Sequence, residues 1–152
     1  MIVELPGPDD TDALGAALAQ ALGGTERGVV ITLAGELGAG KTALVRAVLS
    51  HLGHDGPVVS PSYTLIEPYE LSGRRAYHLD LYRLGDPEEL EFLGIRDLVP
   101  ESDWVFVEWA EKGEGFLPAQ DLAVTLSYRE SGRAVQLRPC SAAGRAIVAK
   151  LQ

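Results

Sequence analysis

One eight-residue segment carries the residue types that bind phosphate. Residues 35–42, GELGAGKT, fit the pattern G-x-x-x-x-G-K-[ST] in full. Glycines in such a loop let the backbone come close to an anion, so that successive N–H groups and the start of the following helix point at phosphate. The lysine of the pattern adds a positive charge, and the hydroxyl of the last residue is a ligand for Mg²⁺. The segment therefore predicts a nucleotide site.

The flanking residues argue against a glycine-rich turn that matches this pattern by chance. Residues 28–34, GVVITLA, are typical of a buried strand, and apolar residues recur at helical spacing from Lys41 until Gly53. We predict that Lys41 contacts phosphate during catalysis and that Thr42 binds the metal. The predicted nucleotide-binding residues of this segment are Gly35, Glu36, Leu37, Gly38, Ala39, Gly40, Lys41 and Thr42.

Two carboxylates are candidates to meet this site. Glu108 closes the apolar run WVFV, and Asp80 closes the less regular run YHL. Ligands gather at the carboxyl ends of strands in a parallel sheet, so an acid at that position is expected to bind Mg²⁺ or to orient water. The alternative for each is an ordinary charged residue where a strand meets solvent. The sequence leaves open which acid contacts the metal.

Other polar residues carry weaker signals. Ser60, Ser62 and Thr64 surround a proline, in a segment that either closes over the γ-phosphate or forms a simple Ser-Pro turn before a strand. His51 and His54 lack further ligands at metal spacing, so no zinc site is predicted.

Trp109 and two arginines each have two possible roles. Trp109 either packs in the core, the favoured interpretation, or borders the site. Arg83 and Arg96 are the nearest candidates in sequence for a catalytic arginine, although Arg83 could instead pair with Glu88 or Glu89 on the next helix.

Composition limits the class of protein. The 152 residues, 46 % of them apolar, suit one compact domain, residues 1–152, with no room for a second. No apolar run approaches the roughly 20 residues of a membrane-spanning helix. The acidic start lacks the features of a secretory signal, and the lone Cys140 cannot form an internal disulfide, so a cytoplasmic location is expected. The net charge of −9 disfavours broad electrostatic binding to nucleic acid or to anionic lipid.

The helices and strands predicted around the site indicate an α/β fold. We predict a single-domain P-loop nucleotide-binding fold of three layers, with a mixed, mostly parallel central sheet and a C-terminal antiparallel hairpin. We expect the nucleotide-binding core to end at Glu108. The remaining predicted elements are an edge strand at 2–5, a helix at 9–22, paired strands within 63–70 and 74–82 joined by a turn at Ser72-Gly73, a short helix from Asp86, a loop around Pro100, a hairpin of 121–129 with 133–138, and a helix from Ser141.

Five segments together resemble one family, the TsaE (YjeE) ATPases of bacterial tRNA threonylcarbamoyladenosine synthesis. They are GELGAGKT at Gly35, SPSYTLIEPY at Ser60, HLDLYRL at His78, DPEELEFLGI at Asp86 and VEWAEKGEGFLP at Val107. The resemblance covers nearly the whole chain and keeps the segments in order. One departure is Ser62, where the family more often has threonine.

This resemblance implies a function. It implies ATP and Mg²⁺ as cofactors, a switch-like loop at residues 60–64 that places Thr64 at the nucleotide, and a second switch-like segment containing Asp80. It implies that Thr42, Asp80 and Glu108 serve Mg²⁺ binding and hydrolysis. It also implies that the chain binds a TsaD–TsaB assembly and supports its modification of tRNA by hydrolysing ATP, so that contact with tRNA is only indirect.

Two other classes share a phosphate loop. A small-molecule kinase usually needs a lid with several arginines, and no such insertion is visible in the sequence. A non-catalytic nucleotide-gated module would not need two convergent acids. Guanine specificity is disfavoured, because the chain contains no asparagine and so lacks the N-K-x-D motif of the common GTPases.

Overall fold

The computed structural model describes residues 1–71, 73–98 and 102–152, and for residues 96 and 97 it describes the backbone alone. The predicted turn residue Ser72 and the predicted loop residue Pro100 lie outside these ranges. No helix within them combines the length and the apolar character needed to span a membrane.

All the predicted helices and strands are present. In chain order the elements are β1 Ile2–Leu5, α1 Pro8–Gly23, β2 Val29–Ala34, α2 Lys41–His51, β3 Ile66–Leu71, β4 Arg74–Asp80, α3 Glu89–Phe92, a 3-10 turn Ile95–Leu98, β5 Trp104–Glu108, a second 3-10 turn Ala110–Gly113, β6 Leu122–Tyr128, β7 Arg133–Pro139 and α4 Ala142–Leu151. One strand starts later than the pattern predicts. Residues 61–65 form a turn closed by a 2.8 Å hydrogen bond from Leu65 N to Pro61 O, and Leu65 has a positive φ of 67°.

The seven strands form one mixed sheet in the order β1-β7-β6-β2-β5-β4-β3. The four central strands, β6, β2, β5 and β4, are parallel to one another. The outer strands pair antiparallel: β3 with β4, β7 with β6, and β1 with β7. The predicted α/β fold, with a sheet that is parallel at its centre and a C-terminal antiparallel hairpin, is confirmed.

The expectation that the nucleotide-binding core ends at Glu108 is wrong. Strand β6 lies directly beside β2, the strand that leads into the phosphate loop. Asp121 fixes this junction, because its N–H donates to Val30 O at 2.8 Å and its Oδ2 accepts from Val30 N at 2.8 Å. Alternation within 121–129 predicts a hairpin, but it does not say which distant strand that hairpin joins. The C-terminal hairpin is therefore part of the sheet that supports the site.

Both faces of the sheet are covered, as the apolar sequence of β2 indicates. Ile31 belongs to the larger core cluster, which α1, α2 and α4 cover. Its neighbour Val30 points the other way and packs in a smaller cluster with Leu90 of α3 and Ile95 of the first 3-10 turn. This three-layer arrangement leaves the carboxyl ends of the central strands pointing at the start of α2.

Candidate nucleotide-binding site

The loop of residues 35–40 joins β2 to α2 and depends on its glycines. Gly35, Gly38 and Gly40 have φ values of 149°, 80° and 106°, a region that L side chains rarely adopt. A Cβ at Gly35 would lie 2.6 Å from the carbonyl oxygen of Leu126 in β6. Helix α2 begins directly after Gly40, and the first N–H groups of any α-helix lack partners within it. The loop can therefore offer backbone donors to an anion.

Lys41 places a buried cation at the start of α2. Its side chain is only 4 % exposed, its Nζ donates to Gly35 O at 2.7 Å, and the same Nζ lies 3.7 Å from the centroid of the Trp109 ring. Burial lowers the pKa of Lys41, although the charges of Glu108 and Asp80 oppose that change. An anionic ligand would add a further counter-charge to those carboxylates and would favour the charged form of this buried ammonium.

We expect nucleotide affinity to decline at alkaline pH. The decline should start at a pH below 10.5, the ordinary pKa of a lysine side chain. Phosphate attracts the charged form of Lys41, and a lowered pKa means that this charge is lost earlier as the pH rises. The measurement is the dissociation constant for ADP without Mg²⁺ across an alkaline pH series, with circular dichroism to verify folding at each pH. Lys41→Met should bind weakly without this decline, and a parallel decline in both proteins would contradict the prediction.

Thr42 and Glu108 are in direct contact at the centre of the site. The Thr42 hydroxyl donates to Glu108 Oε2 at 2.9 Å and lies 3.2 Å from Oε1. Glu108 is only 3 % exposed, and His78 Nε2 lies 2.5 Å from its Oε2. The register pairs Asp80 with Glu108, so both acids stand on the sheet face that α2 covers. The predicted convergence of the two strand ends is observed.

Asp80 joins the strand end to the neighbouring loop. Its Oδ2 accepts a short hydrogen bond from Ser60 Oγ, and its Oδ1 accepts from Tyr82 N at 3.1 Å. The Ser60 and Ser62 hydroxyls lie 3.3 Å apart. Asp80 is 5 % exposed, so neither acid fits the alternative of a charged residue where a strand meets solvent. Asp80 thus couples the segment around Pro61 to the site.

These residues surround a cavity of about 330 Å³. Its lining consists of Leu37, Gly38, Gly40, Lys41, Thr42, Ala43, Ser60, Ser62, Asp80, Tyr82, Glu108 and Trp109. Gly35 contributes the carbonyl oxygen that accepts from Lys41, and Ala39 is a buried residue of the same loop. Thr64 is exposed in the turn that follows Ser62, outside this lining, and its contact with nucleotide stays a prediction.

The sequence does not indicate the role of His78 in the site, and it favours the core over the site for Trp109. No role was expected for His78, although it stands two residues before Asp80 in the same strand and hence on the same face. For Trp109 the sequence favours a place in the core. Trp109 does pack against the smaller cluster, but it also faces Lys41 and lines the cavity, in a left-handed backbone conformation with φ 59°. Its position directly after Glu108 was the available signal for the second role.

A second cavity, of about 550 Å³, shares Gly40 and Ala43 with the first. It lies between the β1–α1 connection, helix α2 and the end of the β6–β7 turn. Its lining is Leu5, Pro6, Gly7, Pro8, Thr11, Asp12, Ala39, Gly40, Ala43, Arg46, Ala47, Ser50, Leu126, Gly132 and Arg133. A ligand anchored at the phosphate loop could extend into it.

Two contacts tie the segments around the mouth of the site together. The Arg83 guanidinium lies 4.7 Å over the Tyr63 ring, and Lys112 Nζ donates to Tyr82 O at 2.6 Å. Among the described residues no ion pair joins Arg83 to Glu88 or Glu89, the alternative that the sequence left open, and the Arg83 guanidinium contacts the Tyr63 ring instead. The side chain of Arg96 lies outside what the structure describes.

The donor set fits Mg²⁺ bound together with a nucleotide better than a cation held by protein alone. Within the described ranges no three His, Cys, Asp or Glu side chains converge as a cation site. Mg²⁺ is usually held by one or two carboxylates together with substrate phosphates and water. The adjoining Thr42 hydroxyl and Glu108 carboxylate, at the start of α2, are suitable ligands of that kind.

Several known proteins resemble this chain in sequence or in fold. Residues 5–135 match the family model for the threonylcarbamoyl adenosine biosynthesis protein TsaE. A tRNA threonylcarbamoyladenosine biosynthesis protein TsaE from Haemophilus influenzae is 47 % identical over 82 % of this chain and 78 % of its own length. One of the same name from Aquifex aeolicus is 40 % identical over 72 % and 77 %. The crystal structure of YdiB from Bacillus subtilis superposes with a TM-score of 0.76 and 26 % identity, over 99 % of this chain and 93 % of that one. The chain therefore belongs to the TsaE family.

Proposed function

We propose that this protein hydrolyses ATP with Mg²⁺ and that hydrolysis supports the threonylcarbamoyladenosine modification of tRNA. The observation that carries the proposal is the direct contact of Thr42 with Glu108 beside the buried Lys41. A hydroxyl, a carboxylate and a cation then meet at the start of one helix. That combination of groups is suited to bind a nucleoside polyphosphate together with its metal ion.

Each group has a distinct task in this proposal. Backbone donors of residues 37–41 and the Lys41 ammonium bind and orient the β- and γ-phosphates. Thr42 and Glu108 hold Mg²⁺, which when bound supplies charge neutralisation to the phosphate oxygens. We assign direct metal contact to Glu108 because it touches Thr42, whereas Asp80 bonds to Ser60 and Tyr82 and is suited to orient the loop and the attacking water.

The second cavity suits the nucleoside. It opens from the phosphate loop at Gly40 and Ala43, and its volume of about 550 Å³ lies in the range of small-molecule sites, about 300–1,000 Å³. The absence of asparagine from the chain disfavours the usual guanine-reading motif. Adenine is accordingly the proposed base, placed against the β1–α1 connection.

The proposed biological role follows from the family. The Haemophilus influenzae and Aquifex aeolicus relatives are both named for tRNA threonylcarbamoyladenosine biosynthesis. We propose that this chain acts with a TsaD–TsaB assembly in the cytoplasm rather than directly on tRNA. A net charge of −9 agrees with a protein partner and disfavours broad contact with the tRNA backbone.

Substitution of Lys41 and of Thr42 by alanine tests the proposed site with two different readouts. Lys41→Ala should weaken ATP binding by about 10- to 100-fold, since a charged hydrogen-bonding group contributes about 1.5–3 kcal/mol. Thr42→Ala should retain ATP affinity in a chelator but lose Mg²⁺-dependent turnover, because it acts through the metal. The measurements are equilibrium nucleotide binding with and without Mg²⁺, and release of ADP and inorganic phosphate.

The products separate the proposed function from the alternatives. Equal affinity of Lys41→Ala and wild type for ATP would reject the proposed phosphate site. A phosphorylated acceptor would indicate a kinase, and binding without turnover, alone and with partner proteins, would indicate a nucleotide-gated module.

A further inference from the structure

His78 is a fully buried polar residue whose hydrogen bond leads into the nucleotide site. Its side chain is 0 % exposed, and its Nε2 lies 2.5 Å from Glu108 Oε2. Its other ring nitrogen, Nδ1, has no hydrogen-bond partner among the described residues. The polar interactions of the ring are thus concentrated on Glu108.

The direction of this hydrogen bond follows from the two groups. A carboxylate only accepts, so the hydrogen sits on Nε2 and His78 donates. In the parallel β4–β5 pair, His78 lies opposite Phe106, and Asp80 lies opposite Glu108, two residues further along each strand. The ring therefore stands behind the Glu108 carboxylate, on the core side of the site.

The two oxygens of Glu108 are held unequally. Oε2 accepts from His78 at 2.5 Å and from Thr42 at 2.9 Å, whereas the contact of Thr42 with Oε1 is 3.2 Å. Two donors on Oε2 fix the plane of the carboxylate. Oε1 is then the oxygen that has more freedom to accept a cation.

A role in packing alone does not explain the residue type. A buried polar group costs free energy unless it is hydrogen-bonded, and a leucine or phenylalanine would fill the same volume without that cost. Nδ1 gains no bond from the surrounding core. Among the described interactions, the hydrogen bond to Glu108 is the one that offsets the free-energy cost of burying the His78 ring.

We infer that His78 is a positioning residue that orients Glu108 to bind Mg²⁺, an inference that rests on the proposed function. His78 itself is not among the residues that line the cavity, and its described hydrogen bond goes to Glu108, so it acts through Glu108. Replacing a residue that hydrogen-bonds to a metal ligand, without binding the metal itself, typically lowers metal affinity or activity by about 10- to 100-fold.

The test compares three variants of the full chain loaded with ADP. His78→Phe keeps a ring of similar size without the donor, and His78→Gln retains an N–H near the Nε2 position. Phe106→Leu is the packing control, because it changes the buried residue opposite His78 and leaves the donor in place. The measurement is the Mn²⁺ affinity of the protein–ADP complex by electron paramagnetic resonance, together with ADP affinity in a chelator and thermal unfolding.

We expect His78→Phe to bind Mn²⁺ about 10- to 100-fold more weakly with unchanged ADP affinity in the chelator. His78→Gln should recover most of the loss, and Phe106→Leu should match wild type. If His78→Phe does not fold, His78→Asn, whose amide is too short to reach Glu108, replaces it in the comparison with His78→Gln.

Two results would overturn the inference while leaving the proposed function intact. One is a Mn²⁺ affinity of His78→Phe equal to that of wild type. The other is a loss of Mn²⁺ affinity in Phe106→Leu as large as the loss in His78→Phe. If wild type itself binds ADP but shows no Mn²⁺ binding in the complex, the inference and the Mg²⁺ part of the proposed function fall together.

Discussion

Replacing Glu108 by glutamine is expected to lower ATP hydrolysis by at least about 100-fold, because loss of the proposed metal ligand would remove several kcal/mol of charge stabilisation. Glutamine keeps the size of the side chain and an oxygen that can accept from His78 and Thr42. Asp80→Asn is expected to act in the same direction, since it weakens the acceptor of the Ser60 hydroxyl. The measurement is single-turnover hydrolysis at saturating ATP and Mg²⁺.

Alanine at the same positions should have an additional effect on stability. Both acids are buried, so Glu108→Ala leaves the His78 donor and the Thr42 hydroxyl without their acceptor. An unsatisfied buried group costs about 1–3 kcal/mol, and thermal unfolding of the ligand-free variant should show that loss. The glutamine variant is therefore the cleaner test of catalysis.

Glu111→Gln is the matched control. Glu111 also contributes negative charge at Lys41, but it is exposed and lies outside the cavity lining. Its removal should leave hydrolysis within about twofold of wild type, since exposed charges are strongly screened. Near-normal hydrolysis in Glu108→Gln, or an equal loss in Glu111→Gln, would mean that the carboxylate of Glu108 has no specific catalytic task.

The parts of the site that sequence could predict are those fixed by local rules. Left-handed glycines, a lysine and a hydroxyl at the start of a helix are properties of one continuous segment, and the segment alone predicts them. Asp80 and Glu108 were predicted from a further rule, that parallel strands bring their carboxyl ends together. That rule is valid here because β4 and β5 are neighbours in register.

The parts that sequence could not predict depend on contacts between distant segments. Alternation shows that β6 is a strand, but its pairing with β2 depends on the junction at Asp121, 91 residues from Val30 in sequence. The role of His78 likewise appears only once Glu108, 30 residues away, is placed beside it. The late start of β3 reflects the turn at residues 61–65, in which Leu65 N donates a local hydrogen bond to Pro61 O although the sequence there resembles a strand.

The isolated chain is expected to hydrolyse ATP slowly, and assembly with a TsaD–TsaB pair is expected to accelerate it. Phosphoryl transfer builds negative charge that an arginine can stabilise, by about 10³- to 10⁵-fold in GTPases. Among the arginine side chains that the structure describes, none lines the smaller cavity. Arg83, the nearest candidate in sequence, instead lies over the exposed ring of Tyr63. The site therefore lacks a described group for that task.

Under the proposed function, a partner could supply the stabilising positive charge in two ways. A basic contact face would be attracted by the net charge of −9 and would bring positive charge to the mouth of the site. A partner that contacts Tyr63 would also release Arg83 from that ring. The same contact would order the segment around Pro61, which is bonded to Asp80 through Ser60. Arg83→Ala separates the two routes, because it removes an arginine supplied by this chain and leaves one supplied by the partner.

The test is single-turnover hydrolysis at fixed Mg²⁺ and ATP, by wild type and Arg83→Ala, each with and without the TsaD–TsaB pair. We expect stimulation of wild type by orders of magnitude, within the range known for an added arginine, about 10³- to 10⁵-fold. Stimulation that survives in Arg83→Ala would assign the missing charge to the partner, and stimulation lost in that variant would assign it to Arg83. A fast isolated enzyme, unchanged by assembly, would instead mean that Lys41, Thr42, Asp80 and Glu108 form a complete catalytic set. The partners would then respond to the nucleotide state of this chain without controlling its rate.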